Sequence, residues 1–334
     1  MAEDNRGPEL VGTITVFLGL SAITVALRCY VRACMLKIFK IEDWLAVATM
    51  VFFALYCAIS MVNVSNGAGK HMEDVPIENI TKVLRLRWAG ELTYIVTCLF
   101  LKFTVGIFLL RICSKAWQRS VIYMVLLVCF VYLIFYAFMT VFQCQPIPYF
   151  WHRFTGDMTG KCWSNELIEG ATYTAAAITC ISDWVLGLLP IALVRDLELT
   201  KRTKIMISFT LALGSLASTA TIVRIPYVRK LTLSGDFMYE FTDLVIWSAA
   251  ENGLGLIAAS IATLRPLVRA FFGGTRVGTP SHQRRSIYSW RRSDVVEIRR
   301  RAQSENIQYF RMGDYNIKSP EPIRKHIRNA SDFR

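Results

Sequence analysis

Four ionisable side chains interrupt hydrophobic stretches that are otherwise apolar enough to cross a membrane: Glu91, Lys102, Asp183 and Glu251. Charges inside a bilayer are costly, and they usually face a helix-bundle interior or a water-filled cavity. There they can pair with one another, relay protons, or act as counter-ions for a ligand. We therefore take them as candidate functional residues and add two polar neighbours, Arg224 and Asn252.

Lys102 and Asp183 lie at similar depths if both stretches are helices. Lys102 is nine residues before Arg111 and Asp183 is twelve before Arg195, or about 13 Å and about 18 Å along a helix axis. A flexible lysine side chain can cover that difference, and pairing avoids an uncompensated charge in a low dielectric. We expect an ion pair. The sequence leaves open whether the pair only locks two helices, recognises a ligand, or does not form.

Glu91 and Glu251 extend this set of charges. Glu91 is eleven residues before Lys102, close to three helical turns, and so shares its helix face. Glu251 lies about 12 Å below the start of its own stretch. Beside Asn252 and Trp247, it is expected to line an outward-facing pocket with Arg224 as its counter-ion. A purely structural Glu251–Arg224 clamp is the alternative.

The elements that must position these residues are hydrophobic helices. Of the 334 residues, 54% are hydrophobic and 19% are charged, which is too few charges for a soluble protein of this length. The apolar stretches approach the roughly 20 residues that a spanning helix needs, and a helix satisfies its own backbone hydrogen bonds in lipid. We predict an all-α membrane protein, a bundle of seven transmembrane helices near residues 10–32, 43–63, 89–111, 119–143, 169–194, 205–224 and 243–268.

The charge distribution predicts the orientation. From Arg269 onward the chain carries 15 lysines and arginines against 6 aspartates and glutamates, which gives +9 of the total charge of +13. Positive charge close to membrane ends favours the cytoplasmic side, and the segments 28–40, 111–119 and 195–204 agree. We expect an extracellular amino terminus (1–9), a membrane domain (10–270) and a largely disordered cytoplasmic tail (271–334).

Two covalent modifications fit this orientation. Cys144 and Cys162 flank a loop on the predicted outer side, where an oxidising compartment permits a disulfide; two free thiols are the alternative. Asn79 begins the glycosylation triplet N-I-T, also on the outer side. Asn63 begins a similar triplet but lies too close to its helix, so Asn79 is the expected acceptor.

A series of motifs appears in order along the chain: "LRCYVR", "EDWLAVA", "GAGKHMEDV", "LFLKFTVGIFLLRI", "ISDWVLGLLPIALV" and "ENGLGLIAASIATLRPL". In these motifs, over residues 10 to 270, the chain resembles the fungal rhodopsin-domain integral membrane family. The resemblance implies a seven-helix fold like that of G-protein-coupled receptors and, for some members, sensing of surface or host cues. Glu42 precedes Asp43 where the family often has two aspartates, and this difference preserves the charge.

The name of that family does not imply a chromophore here. A retinal protein needs a lysine on its last helix, because a primary amine must form the Schiff base, and residues 243–268 contain none. We therefore expect no retinal and no other cofactor. The chain also lacks a Walker A loop, an HExxH motif and a GxSxG motif, and its histidines and cysteines are dispersed. We expect neither an enzyme nor a metal site.

The expected function is that of a receptor-like plasma-membrane protein. It would sense an extracellular ligand and signal through cytoplasmic loops and tail, with a heterotrimeric G protein as partner. Only the predicted seven-helix architecture suggests that partner. Two motifs typical of rhodopsin-like receptors are missing: the third hydrophobic stretch lacks Asp-Arg-Tyr, and the last lacks Asn-Pro-x-x-Tyr. The competing hypotheses are a small-molecule transporter whose path is lined by Lys102, Asp183 and Glu251, and a membrane scaffold without a ligand.

The tail contains a strongly basic segment. Between residues 284 and 301 seven arginines stand against Asp294 and Glu297: Arg284, Arg285, Arg291, Arg292, Arg299, Arg300 and Arg301. Basic residues near an anionic leaflet contribute about 1 kcal/mol each, so we expect the tail to bind membrane lipid. A plain solvated tail is the alternative, and nucleic acid is not an expected partner of a membrane-tethered segment.

The orientation is tested by glycosylation. In a eukaryotic host Asn79 should carry a glycan that Asn79→Gln removes, because the amino-terminal side would face the lumen during synthesis. A glycosylation reporter fused after Arg334 should stay unmodified, as read by the mobility shift after glycosidase treatment. A glycosylated carboxy-terminal reporter would contradict the seven-helix arrangement.

Overall fold

The computed structural model describes residues 5–113, 115–156, 158–195 and 237–264. These contain six long helices: α1 (Gly7–Tyr30), α2 (Ile41–Ser65), α3 (Ile77–Ile112), α4 (Ala116–Val141), α5 (Asn165–Arg195) and α6 (Phe237–Thr263). All six are long and apolar enough to cross a membrane. They correspond to six of the seven predicted spans. The stretch 205–224, with Arg224, and the tail 271–334 lie outside the described residues.

The third helix begins earlier than predicted. It starts at Ile77, directly after Pro76, rather than near residue 89, so Lys82 and Arg87 are helical and do not belong to a loop. The reason is a second apolar stripe at helical spacing, since the early turns of α3 bury Ile80, Val83 and Leu84. This stripe packs against Ala68, Val75 and Met238 from the neighbouring segments.

The predicted loop 28–40 is also partly helical. After α1 the chain continues through one π-helical segment, Val31–Met35, so Arg28 and Arg32 are helical residues. The next helix, α2, is capped by its own sequence: Asp43, in the first turn, accepts a hydrogen bond from the backbone N–H of Lys40 at 3.1 Å. The two helices are therefore joined by a short connection that brings Arg28 and Asp43 close together.

The helices pack as neighbouring pairs around one core. α2 runs along α3, α1 along α6, α3 along α4 and α4 along α5. The centre is filled by large side chains from several helices, among them Phe53, Tyr56, Tyr94, Tyr136 and Val245. The opposite face of α4 exposes a row of apolar side chains, as expected for a lipid-facing surface: Leu127, Phe130, Val131, Phe135 and Phe138.

Small residues bring α6 close to its neighbours. A Cβ atom on Gly255 would lie 2.6 Å from Leu101 Cδ2 of α3, so a larger residue could enter there only if Leu101 moved. Ala249, Ala258, Ala259 and Ala262 are also buried. Lipid gives no hydrophobic drive to helix association, and close approach of small residues is one of the forces that replace it.

One end of the bundle carries the Cys144–Cys162 disulfide, and we call it the disulfide end. The two cysteines lie on short antiparallel strands, Cys144–Gln145 and Lys161–Cys162. Between the strands a one-turn helix, Tyr149–His152, places Trp151 5.9 Å from the ring of Trp88 on α3. The loop between the two strands therefore packs against α3 of the helix bundle.

The loop after α2 closes the same end. Gly69 accepts a hydrogen bond from the backbone N–H of Arg6 at 3.1 Å and donates one to the carbonyl of Met238 at 3.4 Å. Its φ angle is +95°, and a Cβ atom would lie 2.8 Å from the backbone nitrogen of Gly7. Glycine is needed because this turn requires a left-handed backbone and close contact between chains.

The disulfide should contribute measurably to stability. Cys144→Ser should lower the free energy of unfolding by about 2–4 kcal/mol, because an 18-residue separation leaves a loop whose closure restricts the unfolded chain. Thermal unfolding of the protein in nanodiscs measures this loss. Cys34→Ser is the matched control, since Cys34 is a free and exposed thiol, and it should leave stability unchanged. Equal stability of the two variants would contradict the expectation.

Candidate functional site

The structure brings Lys102 and Asp183 together. The ammonium group of Lys102, on α3, donates hydrogen bonds to the carboxylate of Asp183 and, at 3.1 Å, to the carbonyl of Thr179. Both acceptors belong to α5, one turn apart, so a single lysine fixes two helices in register. Lys102 is only 5% exposed. The sequence prediction of similar depth for the two charges therefore agrees with the geometry.

Glu251 joins this pair from α6. Its carboxylate accepts a 2.8 Å hydrogen bond from the hydroxyl of Tyr94, and its charge acts on Asp183. The neighbouring Asn252 accepts a hydrogen bond from the thiol of Cys98 at 3.4 Å. The proposed counter-ion Arg224 lies outside the described residues. The centre of the bundle thus holds one ammonium group and two carboxylates, a set that we call the central charges.

Glu91 belongs to a different part of the bundle. It lies about 16 Å from Lys102 along α3 and accepts a 2.7 Å hydrogen bond from the hydroxyl of Tyr136 on α4. The same hydroxyl lies 3.1 Å from Thr172 on α5. Although Glu91 and Lys102 sit on one face of the helix, as predicted, they serve separate contacts.

A cavity opens between α2, α3 and α6 at the disulfide end. Its volume is about 40 Å³, enough for about three water molecules. Polar groups from all three helices line it: Ser60, Asn63, Arg87, Glu91, Tyr94 and Ser248. The expected pocket around Glu251, Asn252 and Trp247 stays a prediction; from α6 this cavity is lined by Ser248, about one turn before Asn252. Tyr94 connects the two regions, since it lines the cavity and donates to Glu251.

The side-chain oxygen of Asn63, in the cavity wall, is unsatisfied. Asn63 is 2% exposed, and its side-chain oxygen has no hydrogen-bond partner. A buried acceptor without a donor costs about 1–3 kcal/mol, so a water molecule or a ligand group that donates is expected there. The burial is a second reason to expect glycosylation at Asn79 and not at Asn63, because the Asn63 side chain is not accessible.

Two of the cavity residues, Arg87 and Phe241, also belong to a cluster of stacked arginines and phenylalanines. The guanidinium of Arg87 lies over the rings of Phe150 and Phe241, at 5.7 and 5.5 Å from their centroids. Arg153 lies over Phe150 as well, at 5.3 Å. Burial and the like charge of Arg87 lower the pKa of Arg153 from its usual range. We call these four residues the arginine–phenylalanine cluster.

At the other end of the bundle a second set of charges connects α1 and α2. Arg28 donates to the carboxylate of Asp43 at 2.9 Å and to the backbone carbonyls of Ala259 and Glu42 at 3.0 and 3.2 Å. The side chains of Arg28 and Asp43 are completely buried. Because Ala259 lies on α6, one guanidinium holds three helices together.

Two further arginines complete this arrangement around Glu42. Arg111, near the end of α3, lies 2.7 Å from the Glu42 carboxylate, and Arg32 lies 3.4 Å from it. We call Arg28, Arg32, Glu42, Asp43 and Arg111 the arginine clamp. Sequence reasoning used these arginines only as markers of the cytoplasmic side and therefore missed the clamp. The available signal was the acidic pair in "EDWLAVA", which follows two arginines and begins a hydrophobic stretch.

In the described ranges, no group of three or more His, Cys, Asp and Glu side chains is placed to hold a metal ion. Helix α6, Phe237–Thr263, contains no lysine, and Lys102 on α3 is held by Asp183. These residues do not fit a retinal Schiff base on the last helix.

Comparison with known sequences identifies the family. Residues 27–270 match the profile described as the fungal rhodopsin domain, which covers the clamp, the central charges and the cavity. The chain belongs to the fungal rhodopsin domain family. It is a membrane protein of this group, and the resemblance seen in the sequence motifs is confirmed. No solved structure matches the chain significantly.

Three curated fungal proteins resemble this fungal rhodopsin domain protein at 25% identity. The Wortmanamides biosynthesis cluster protein C of Talaromyces wortmannii aligns over 81% of this chain and 74% of its own length. The SAT4 family membrane protein of Emericella nidulans aligns over 84% of this chain and 70% of its own length. The Polyenoic acids biosynthesis gene cluster protein Ba17b of Metarhizium anisopliae aligns over 80% of this chain and 77% of its own length.

A double-mutant cycle tests how strongly the central pair is coupled. Lys102→Ala should lower the free energy of unfolding by about 3–5 kcal/mol, because it leaves the Asp183 carboxylate without its partner. Adding Asp183→Asn should recover part of the loss, since no charge then remains uncompensated. Thermal unfolding in nanodiscs across all four proteins gives the coupling energy. Lys82→Ala, on an exposed part of the same helix, is the control; strictly additive effects would show that the pair is not coupled.

Proposed function

We propose that this fungal rhodopsin domain protein is a receptor-like sensor that binds an extracellular ligand at the disulfide end. One observation carries the proposal: α2, α3 and α6 line the cavity at one end and take part in the arginine clamp at the other. Asn63, Arg87 and Ser248 contribute to the cavity, whereas Asp43, Arg111 and Ala259 contribute to the clamp.

The shared helices provide a physical route between the ends. A ligand that draws α2, α3 or α6 together around the cavity changes the relative positions of the same helices at the clamp. Packed helices respond to such shifts by moving as units, because their interfaces are not continuously deformable. The charge distribution supports an orientation with the disulfide end outside and the clamp in the cytoplasm. In that orientation the clamp is suited to report ligand binding to a cytoplasmic partner.

In this proposal a heterotrimeric G protein is the cytoplasmic partner, and the plasma membrane is the location. The tail from residue 271 onward would add a basic surface for anionic lipid. No catalytic step is part of the proposal. Two of the related proteins are named after biosynthesis clusters, a setting in which detecting a small molecule would serve a producing cell.

A small-molecule transporter is the second candidate, and the central charges favour it. Tyr94 lines the cavity and donates to Glu251, whose charge acts on Asp183 and through it on Lys102. Ionisable groups therefore continue from the cavity into the middle of the bundle, as in membrane proteins that relay protons. Matched measurements in a host strain lacking the protein separate the two functions. A sensor changes a second messenger without uptake, whereas a transporter changes the uptake of labelled substrate.

Loosening the clamp should raise ligand-independent signalling. Arg111 is 40% exposed, and the buried carboxylate of Glu42 keeps a second partner, Arg32, at 3.4 Å. Arg111→Gln therefore releases α3 from Glu42 without leaving that carboxylate unpaired. An ion pair of this kind contributes up to about 1 kcal/mol, so the basal second-messenger signal should rise up to about fivefold. The measurement is made in the complemented strain at equal surface expression.

The control for this change is Arg119→Gln. Arg119 is an exposed arginine near the start of α4, at the same end of the bundle, and its replacement removes the same charge. It should leave the basal signal unchanged. If both variants signal equally, the clamp does not hold the resting state. If Arg111→Gln instead changes only uptake, the transporter is favoured.

A further inference from the structure

We propose that the connection between α1 and α2 is a binding site for an anionic phospholipid. The site consists of residues 34–44, which we call the connecting segment. Two of these residues, Lys37 and Lys40, would hold the phosphate of the lipid head group, and the apolar side chains around them would lie in the membrane interface. The proposal goes beyond the proposed function, because it holds for a sensor and for a transporter alike.

The connecting segment exposes a continuous group of apolar side chains. Ile41 and Trp44 are 65% and 67% exposed, and the ring of Phe39 lies edge-on to that of Trp44 with centroids 5.3 Å apart. The exposed apolar side chains are Met35, Leu36, Ile38, Phe39, Ile41 and Trp44. Such a patch marks a contact with a partner or a membrane. Because the segment joins the ends of two helices long enough to span a bilayer, and aromatic residues are typical of the membrane interface, lipid is the occupant that fits.

The charges of the connecting segment select an anionic lipid. Lys37 and Lys40 are exposed, and among the residues that the structure describes neither ammonium group forms an ion pair. The two acids of the segment, Glu42 and Asp43, are buried and held by the arginine clamp, so they leave the lysines uncompensated. Basic residues at the membrane surface attract anionic head groups. The predicted orientation turns this end toward the cytoplasmic leaflet, which carries such lipids.

The backbone of Lys37 gives a second reason to assign a role to its charge. Its φ angle is +51°, a left-handed conformation that is unfavourable for lysine and that glycine usually adopts at the end of a helix. The following N–H group, that of Ile38, donates to the carbonyl of Arg32 at 2.9 Å, which is the hydrogen bond that closes such a helix end. A lysine therefore occupies a position where glycine would fit the backbone better, and a function of its ammonium group accounts for this.

Three probes define the ligand: dioctanoyl phosphatidylglycerol, dioctanoyl phosphatidylcholine and glycerol phosphate. The full chain in detergent micelles carries a bimane label on Cys34, an exposed free thiol of the segment, and the change of bimane fluorescence gives the affinity for each probe. The Cys34→Ser chain measures any label on other cysteines. Phosphatidylglycerol should bind at least about tenfold more tightly than phosphatidylcholine, because only its head group has a net charge. Glycerol phosphate should not bind, since it lacks the acyl chains; equal binding would indicate a site for free phosphate and not for lipid.

Variants assign the effect to the two lysines. Lys37→Gln should weaken binding of phosphatidylglycerol about fivefold, and Lys37→Gln with Lys40→Gln about thirtyfold, while binding of phosphatidylcholine stays the same. Replacing both lysines by arginine should retain the preference, because the charge is kept. The matched control is Lys82→Gln with Lys161→Gln, two exposed lysines at the disulfide end. It removes the same charge from the chain and should leave the affinity unchanged.

Lys37→Gly separates the charge of this residue from its backbone. Glycine adopts a positive φ angle without strain, so the unfolding temperature should not fall, whereas the affinity for phosphatidylglycerol should fall as in Lys37→Gln. A lysine with a purely structural role would leave that affinity unchanged. Equal affinity for the two lipids, equal losses in the double glutamine variants at the two ends of the bundle, or full binding by Lys37→Gly would overturn the proposal.

Discussion

Arg28 imposes the constraint on which the arrangement of the other helices depends. A guanidinium group cannot lose its charge in a protein, and burying it unpaired is prohibitively costly. Its side chain is fully buried, so its donors must all be met by fixed groups. Those groups come from Asp43 and Glu42 on α2 and Ala259 on α6. Hydrogen-bond geometry therefore determines the position of α1 relative to α2 and α6. Apolar packing in lipid alone would let α1 slide along the two helices.

In the middle of the bundle, too, a buried charge that must be paired fixes the helices, here Lys102 on α3 with Asp183 on α5. Lipid tails are as apolar as leucine side chains, so hydrophobic burial cannot hold helices together there. Lys102 instead fixes α3 against α5 through Asp183 and Thr179, and Gly255 permits α6 to approach α3 at Leu101. Each polar contact joins helices that are distant in the sequence. Together these contacts set the register that the hydrophobic surfaces leave undetermined.

Much of this arrangement follows from the sequence, and the exceptions have a common cause. The depth of Lys102 and Asp183 could be calculated because each lies inside a long hydrophobic stretch with a clear charged boundary. Arg87 lies at such a boundary, and the predicted span begins only at residue 89, whereas α3 starts at Ile77 and Arg87 stacks on Phe150 and Phe241. Arg28 lies at another boundary; it was counted only as a basic residue near the membrane end, although it pairs with Asp43. A charge near the end of a hydrophobic stretch predicts the end of a helix reliably only when the partners of that charge are known. Those partners lie in other parts of the chain.

Two ion pairs of the arginine clamp, Arg28–Asp43 and Arg111–Glu42, differ in how easily they separate. Arg28 and Asp43 are closed off from solvent, so separating them would leave two buried charges unpaired, at a cost of several kcal/mol. Arg111 is 40% exposed, so water can solvate its guanidinium once it leaves, and Arg32 at 3.4 Å still pairs with the buried Glu42 carboxylate. A ligand can shift a conformational equilibrium only by its difference in affinity for the two states, commonly a few kcal/mol. In the proposed sensor, α3 would therefore move at Arg111 while Arg28 keeps α1, α2 and α6 together as one body.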